Sequence, residues 1–420
     1  MTDPPAKVVA LEAYRGLAAI IVVCYHLSLA FAPRKVGLVA SLSDPDAIAG
    51  TPWFLFINGP AAVTFFFVLS GYVLPLQFFQ KHDPLILLKG LCKRLPRLAG
   101  LTTISTLISC SLFKLRLYYY TDAAAVSSSQ WLGFICFSGQ PPGFHPSWWG
   151  AFWQGAWRTF SRGETYYNTN LWTMRIELIG SIVTYALALI YARIRKPYYI
   201  LAIVAFCMAV LLLFPLPEVK YYHAFLLGVT LSFWHSRRPP RASVYSAVGL
   251  VIVSLYFLGY IVPRGAYGFL AFEPGVAKWA VGHINWVHAV AAVLLIHGTR
   301  ASPEISHLFD NAIGRILGAI SFPVYLIHVL IIGSFSSALY LTLVPLLSPA
   351  YVFSAVFLLT LLLVVLVATL LSRADRLWVR MLNQSADRLL AGLTRRRGAE
   401  SEALSVPIAF SHPKTSNGGE

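Results

Sequence analysis

The first apolar segment contains an arginine and a histidine, two ionisable residues whose spacing could place them in one functional site. Arg15 and His26 lie in EAYRGLAAIIVVCYHLSLAF, eleven positions apart. At about 100° of turn per residue they are only ~20° out of phase, so they share one face of a helix. An ionisable side chain deep in an apolar span is costly and predicts a functional site. The alternative is a packing histidine that is hydrogen-bonded to a neighbouring helix.

One acidic residue falls clearly inside an apolar segment, Glu177 in NLWTMRIELIGS. A carboxylate in a membrane needs a partner, and a histidine on another helix is a suitable one. A carboxylate fixes the tautomer of an imidazole and supports the imidazolium that forms on proton transfer. We therefore predict that Glu177 orients a catalytic His26. A purely structural hydrogen bond between helices is the alternative.

Two further arginines, Arg94 and Arg97, lie three apart in CKRLPRLAG. Guanidinium groups bind phosphates in a bidentate manner and stay charged at all relevant pH values. Arg15 is expected on the same side of the membrane, so three arginines can converge on an anionic cytosolic ligand. Anchoring of the helix ends is the alternative for any single arginine.

Two polar stripes supply candidate pocket residues. Ser70 and Tyr72 interrupt the very apolar run FFFVLSGYVLP, and their hydroxyls can bond across helices. Ser321, Tyr325 and His328 in AISFPVYLIHVLII follow at i, i+4 and i+7, which predicts one stripe facing the bundle interior.

A metal site is not predicted. His283, His288 and His297 share one apolar segment, but their spacings of five and nine place them on different faces. No carboxylate accompanies them either, so we do not expect them to bind a metal ion. The five cysteines contain no CxxC pair, so we expect packing residues and no disulfide framework.

Composition identifies the elements that must position these side chains. The chain of 420 residues is 57% hydrophobic and only 12% charged, with a mean hydropathy of +0.66. Such a composition excludes an ordinary soluble domain and predicts a polytopic membrane protein. The net charge of +16 is spread over the loops, so it indicates membrane orientation and lipid contact and does not predict nucleic-acid binding.

Apolar segments of about 20 residues predict an all-α protein with about ten membrane-spanning helices. Their approximate ranges are 16–33, 53–80, 98–119, 171–192, 198–216, 221–235, 243–262, 279–298, 316–341 and 351–372. Alternate loops are rich in arginine and lysine, so the positive-inside rule places both termini in the cytoplasm. Residues 1–372 are thus predicted to form one transmembrane domain.

Two segments are not predicted to span. The stretch 121–170 is expected outside the cytoplasm, with Trp149, Trp153 and Trp157 on one face of a short helix. That face is either an interfacial aromatic belt or a lid over a substrate mouth. Residues 373–420 are expected to form a cytoplasmic amphipathic helix on the membrane surface, followed by a disordered tail from about Gly398.

Five motifs in order resemble the acyltransferase-3 family of polytopic membrane acyltransferases. They are RGLAAIIVVCYH, FFFVLSGYVL, RLPRL, LWTMRIELIGS and ISFPVYLIH, and together they cover roughly residues 8–372. The sequence is most similar to the eukaryotic, fungal branch of that family. The resemblance implies a ten-helix protein that transfers an acyl group, commonly acetyl, from acyl-coenzyme A to a hydroxyl.

The resemblance also implies roles for individual residues. The R-x10-H motif of the family falls on Arg15 and His26, with the histidine catalytic. The R-x-x-R motif falls on Arg94 and Arg97, which are thought to engage the coenzyme, and the acidic position falls on Glu177. Bacterial relatives often carry two acids in tandem there, where this chain has Glu-Leu.

We therefore predict an integral-membrane O-acyltransferase that uses acyl-coenzyme A as co-substrate, lies in a lipid bilayer and holds no permanent cofactor. His26 acts as general base on an acceptor hydroxyl, or accepts the acyl group transiently. The acceptor is a carbohydrate, a glycolipid or a secondary metabolite. The alternative function is a proton-coupled secondary transporter with Glu177 and His26 as a proton relay, which the lack of internal repeats disfavours.

Overall fold

The computed structural model describes residues 9–38, 44–134, 140, 143–194, 196, 198–213, 219–271 and 277–404. Within these ranges the regular structure is helical and contains no strand, as the sequence predicts. The α-helices are α1 Val9–Phe31, α2 Pro33–Val36, α3 Gly59–Lys81, α4 Pro84–Lys114, α5 Tyr120–Ser127, α6 Gln130–Phe134, α7 Trp148–Trp153, α8 Thr159–Arg162, α9 Trp172–Arg193, α10 Tyr198–Leu213, α11 Tyr222–Arg237, α12 Val244–Leu258, α13 Ala277–Ala301, α14 Pro303–Leu308, α15 Ala312–Ile331, α16 Ser337–Leu343 and α17 Pro349–Leu404.

Several of the long helices are long and apolar enough to cross a bilayer. Among the described residues five segments qualify by length and hydropathy, and they are Val9–Phe31, Gly59–Lys81, Thr169–Arg193, Ala312–Leu343 and Pro349–Arg388. Each of the ten predicted spans overlaps a helix of the structure, with different bounds. The count of ten spans and the cytoplasmic termini stay predictions.

Local sequence signals fix where the key helices begin. The side chain of Asn58 accepts a hydrogen bond from the Ala61 backbone N–H at the start of α3. Asp83 caps α4 in the same way, with Pro84 in the first turn, and Asn311 caps α15. These side chains satisfy backbone N–H groups that have no partner inside the helix.

The core forms around α3, which packs against α1, α9, α11 and α13, while α1 packs along α15. Small residues allow these close approaches. A Cβ atom on Gly16 of α1 would lie 2.5 Å from the backbone of Leu317, and one on Gly318 of α15 would lie 2.8 Å from the Cβ of Glu12. The backbones of α1 and α15 are therefore in near-contact, and polar side chains on the two helices can meet.

The aromatic segment before α9 packs against α4. Thr102 and Thr106 of α4 donate hydrogen bonds to the carbonyls of Gly155 (2.6 Å) and Ala151 (2.8 Å). The side chains of Trp149, Trp153 and Trp157 are exposed and do not line the cavity described below. This arrangement favours the interfacial interpretation of the aromatic stripe over the lid.

The C-terminal segment continues the last apolar helix, and its expected position on the membrane surface stays a prediction. Helix α17 runs without interruption for 56 residues to Leu404, since no proline or glycine lies between Pro349 and Gly392 to break it. The hydrophobic residues Leu377 and Met381 are exposed. After the predicted span 351–372, α17 contacts α4, where Trp378 donates to the Pro96 carbonyl (2.9 Å). Residues 405–420, most of the expected tail, lie outside the described residues.

Candidate active site

A cavity of about 150 Å³ lies between α1, α3, α4, α9, α15 and α17. Its charged and hydroxyl-bearing lining residues are Arg15, Ser70, Arg94, Arg97, Thr173, Glu177, Ser321, Tyr325 and Asp375. Seven of these were candidates from sequence. The structure adds Thr173 and Asp375 to the set.

Arg15 is fixed at the contact between α1 and α15. Its guanidinium donates to the Ser321 hydroxyl (2.9 Å) and to the Gly318 carbonyl (3.0 Å). An ion pair with Glu12 (2.6 Å) completes its surroundings. Several donors of one guanidinium are thereby held in place, so its charge faces the cavity in a defined orientation.

Arg94 and Glu177 form an ion pair inside the bundle, with side chains only 12% and 13% exposed. Arg94 also donates to the Ser181 hydroxyl (2.7 Å). The Ser70 hydroxyl donates to the carboxylate of Glu177 (2.6 Å). A partly buried ion pair with these added hydrogen bonds is firmly held, because removal of either partner would leave a buried charge uncompensated.

Arg97 differs from the other two cavity arginines. Within the part of the chain that the structure describes, its guanidinium forms no hydrogen bond and no ion pair, although it is half-buried. It lies three residues after Arg94 on α4 and lines the same cavity. A guanidinium with unused donors in a cavity is a site for an anion.

His26 is hydrogen-bonded to His328, and this pairing was not predicted. The Nδ1 atom of His26 lies 2.8 Å from Nε2 of His328. Nδ1 of His328 lies 3.0 Å from the Val324 carbonyl. Because a carbonyl oxygen only accepts, Nδ1 of His328 carries its proton and Nε2 accepts from His26. Nδ1 of His26 is therefore protonated, and its Nε2 has a lone pair without a hydrogen-bond partner among the described residues.

The structure gives Glu177 and His26 different partners. We expected the carboxylate to orient the imidazole, but Glu177 contacts Arg94 and Ser70. The group that fixes the tautomer of His26 is His328. Both candidates lie within the bundle, yet they occupy separate hydrogen-bond networks.

Two asparagines that sequence reasoning missed hold the helix that carries His328. Asn170 donates to the Tyr325 carbonyl (2.8 Å), and its amide nitrogen lies 3.1 Å from Nε2 of His328. Asn168 donates to the Leu326 carbonyl (2.8 Å). Both side chains are buried. The signal was present in the sequence as an Asn-Thr-Asn run directly before the apolar segment of α9.

An aromatic ring covers His26. The indole of Trp131 is stacked on the imidazole, with ring centroids 4.5 Å apart and planes 14° from parallel. Such a stack fixes the orientation of the imidazole ring. Trp131 belongs to α6, in the region expected outside the cytoplasm.

Comparison with known proteins shows which family has a sequence similar to this chain. Residues 8–371 match the acyltransferase-3 family, described as an acyltransferase domain. The chain belongs to this family. It is also similar to the O-acetyltransferase PaAT-1 of Phomopsis amygdali, with 24% identity over 390 residues, covering 78% of this chain and 73% of that protein. No solved structure matches the chain.

Family membership and the apolar helices together make this acyltransferase an integral, multi-pass membrane protein. The match begins just before α1 and ends within α17. The arginine cavity and the paired histidines both lie within it, apart from Asp375.

Tyr72 lies apart from the cavity of this acyltransferase. Its hydroxyl is 3.0 Å from Nδ1 of His235, whose Nε2 is 3.0 Å from Nδ1 of His297. The ring of Tyr72 is fully buried. The structure thus places Tyr72 in a polar network between α3, α11 and α13, while the other candidate pocket residues line the cavity or pair with His26.

Proposed function

We propose that this membrane acyltransferase transfers an acyl group, acetyl in the first instance, from acyl-coenzyme A to the hydroxyl of an acceptor. The observation that carries the proposal is the convergence of Arg15, Arg94 and Arg97 on one cavity beside the paired histidines. The O-acetyltransferase relative supports both the acetyl group and the hydroxyl acceptor.

The arginines suit the phosphates of the coenzyme. Its pyrophosphate and 3′-phosphate need several cationic partners, and planar guanidinium groups bind phosphate oxygens in pairs. Arg97 supplies donors that the described protein does not use, whereas Arg15 and Arg94 are held rigidly by other side chains. Glu177 is assigned to the positioning of Arg94, and so to donor binding.

The thioester lies towards His26 in this proposal. Tyr325 and Thr173 both line the cavity, and their hydroxyl oxygens are 2.9 Å apart. His328 follows Tyr325 by three residues on α15, so the paired histidines lie about one helical turn further inward. The extended arm of the coenzyme would run past Tyr325 to reach them.

The chemical step uses the free lone pair of His26. Nε2 takes the proton of the acceptor hydroxyl while its oxygen attacks the thioester carbonyl carbon. The carbon–sulfur bond breaks, the ester forms, and the imidazolium returns its proton to the departing thiolate. General-base catalysis of this kind contributes typically about 10²–10⁴-fold in rate. His328 accepts the Nδ1 hydrogen bond of His26 throughout.

The acceptor is proposed as a class: a carbohydrate, a glycolipid or a secondary metabolite that carries a free hydroxyl. Membranes containing the wild-type protein, incubated with acetyl-labelled acetyl-coenzyme A and extracts that contain such acceptors, should yield a labelled product that mild base cleaves. His26→Ala membranes should yield none. Equal labelling by His26→Ala would contradict the catalytic assignment.

Donor binding is tested separately with purified protein and coenzyme A. Arg97→Lys keeps the charge but loses the bidentate geometry, so the affinity should fall about 10-fold or more. The matched control is Arg315→Lys, since Arg315 is exposed and pairs with Asp310 at the surface. Equal affinity of Arg97→Lys and wild type for coenzyme A would contradict the donor-binding role and favour the alternative, in which Arg97 anchors the end of a helix.

A further inference from the structure

We propose that Asp375 is a donor-binding residue that accepts a hydrogen bond from a hydroxyl or amide N–H of the coenzyme beside its phosphates. The inference rests on the proposed function and deepens it. Asp375 lines the arginine cavity but lies on α17, four residues beyond the end of the family match at 371.

The carboxylate has an unused acceptor. Among the described residues, Oδ1 of Asp375 is buried and has no hydrogen-bond partner. An unpaired carboxylate oxygen removed from water is costly, so a donor is expected there. The cavity in front of it is the space that the proposed ligand would occupy.

Asp375 is within electrostatic reach of Arg97 and Arg15, so cavity arginines balance part of its charge. Arg15 forms its ion pair with Glu12, and Arg94 forms its ion pair with Glu177. In the described part of the chain, Asp375 forms no ion pair of its own. Coenzyme A supplies both kinds of group that the cavity needs, phosphates for the guanidinium groups and neutral hydroxyl and amide donors for a carboxylate.

The helix that carries Asp375 is held rigidly. After the predicted span 351–372, Trp378 donates to the Pro96 carbonyl, Lys93 donates to Asn383 (2.7 Å), and Lys89 pairs with Asp387. These contacts join α17 to the half of α4 that carries Arg94 and Arg97. The carboxylate is thereby preorganised opposite the phosphate-binding arginines, as a specific binding site requires.

The test measures coenzyme A binding by calorimetry to purified wild type, Asp375→Ala and Asp375→Asn. Asp375→Ala should bind about 10-fold more weakly or worse, because a hydrogen bond to a charged group is lost. Asp375→Asn keeps a neutral acceptor of the same shape and should fall between the two. Asp310→Asn, the same substitution in a surface ion pair, should bind like wild type.

An affinity of Asp375→Ala for coenzyme A equal to or higher than that of wild type would overturn the inference. If the carboxylate merely competed with the phosphates for the arginines, its removal would make coenzyme A bind more tightly. If Asp375→Ala does not fold, Asp375→Asn decides alone, and unchanged or tighter binding overturns the inference. Wild-type protein that does not bind coenzyme A would overturn the proposed function and this inference together.

Discussion

His26 and His328 carry the same side chain, but hydrogen bonding gives them different states. The Val324 carbonyl fixes the proton of His328 on Nδ1, and this in turn fixes the proton of His26 on Nδ1. Of the two, His26 is then the one with a ring nitrogen available to accept a proton. One short chain of hydrogen bonds therefore makes His328 the positioning residue and His26 the catalytic base.

We predict that His328→Ala lowers kcat by about 10²-fold or more, because the tautomer of the base is no longer fixed. The KM for acyl-coenzyme A should change little, since His328 does not line the arginine cavity. His328→Gln keeps an acceptor for His26 and should recover much of the rate. Equal turnover of His328→Ala and wild type would remove His328 from the mechanism.

Glu177→Gln separates the sequence-based role of Glu177 from the one that the structure supports. If Glu177 supports an imidazolium, kcat falls by orders of magnitude and coenzyme affinity stays normal. The structure places Glu177 on Arg94 and Ser70, so we expect weaker coenzyme A binding and a smaller change in kcat. Measuring both constants on one preparation decides the question, and a loss confined to kcat would restore the pairing with His26.

At the scale of elements, α3 and α11 are in close backbone contact. A Cβ atom on Gly228 of α11 would lie 2.2 Å from the Val68 carbonyl oxygen, and one on Gly71 of α3 would lie 2.4 Å from the Phe225 carbonyl oxygen. Such distances leave no room for a side chain. Ser70, which holds Glu177, lies directly beside this contact on α3.

Gly228→Ala should therefore destabilise the protein by about 1–3 kcal/mol, as overpacking does, and lower the Tm. The matched control is Gly249→Ala on α12, where nothing lies within 4 Å of an added Cβ. That change should leave the Tm unchanged or raise it slightly, because alanine is the better helix former. Equal Tm values for both variants would show that the α3–α11 contact can relax.

At the scale of the whole molecule, the topology predicted from loop charges puts the loop that carries Asp310 and the loop that carries Ser161 on opposite sides of the membrane. Both residues are exposed. In a cysteine-free background, Asp310→Cys and Ser161→Cys should react with an impermeant maleimide from opposite faces of sealed vesicles. Labelling of both from one face would contradict the predicted orientation.

Much of the site was within reach of the sequence. The composition indicates the environment in which the chain folds, because 57% hydrophobic residues are typical of a protein in a lipid bilayer. Helical periodicity sets which residues share a face, and Arg15 and His26 do both contact α15. The stripe of Ser321, Tyr325 and His328 is buried, as predicted.

Only the tertiary structure decided which helix faces meet. Periodicity orients a side chain around its own helix but does not say which helix lies opposite. That choice depends on close approaches such as the one between Gly16 and Leu317. Two outcomes could not be predicted for this reason: His26 pairs with His328 and not with Glu177, and Asp375, on a helix expected at the membrane surface, lines the cavity. Both depend on packing between segments that are distant in sequence.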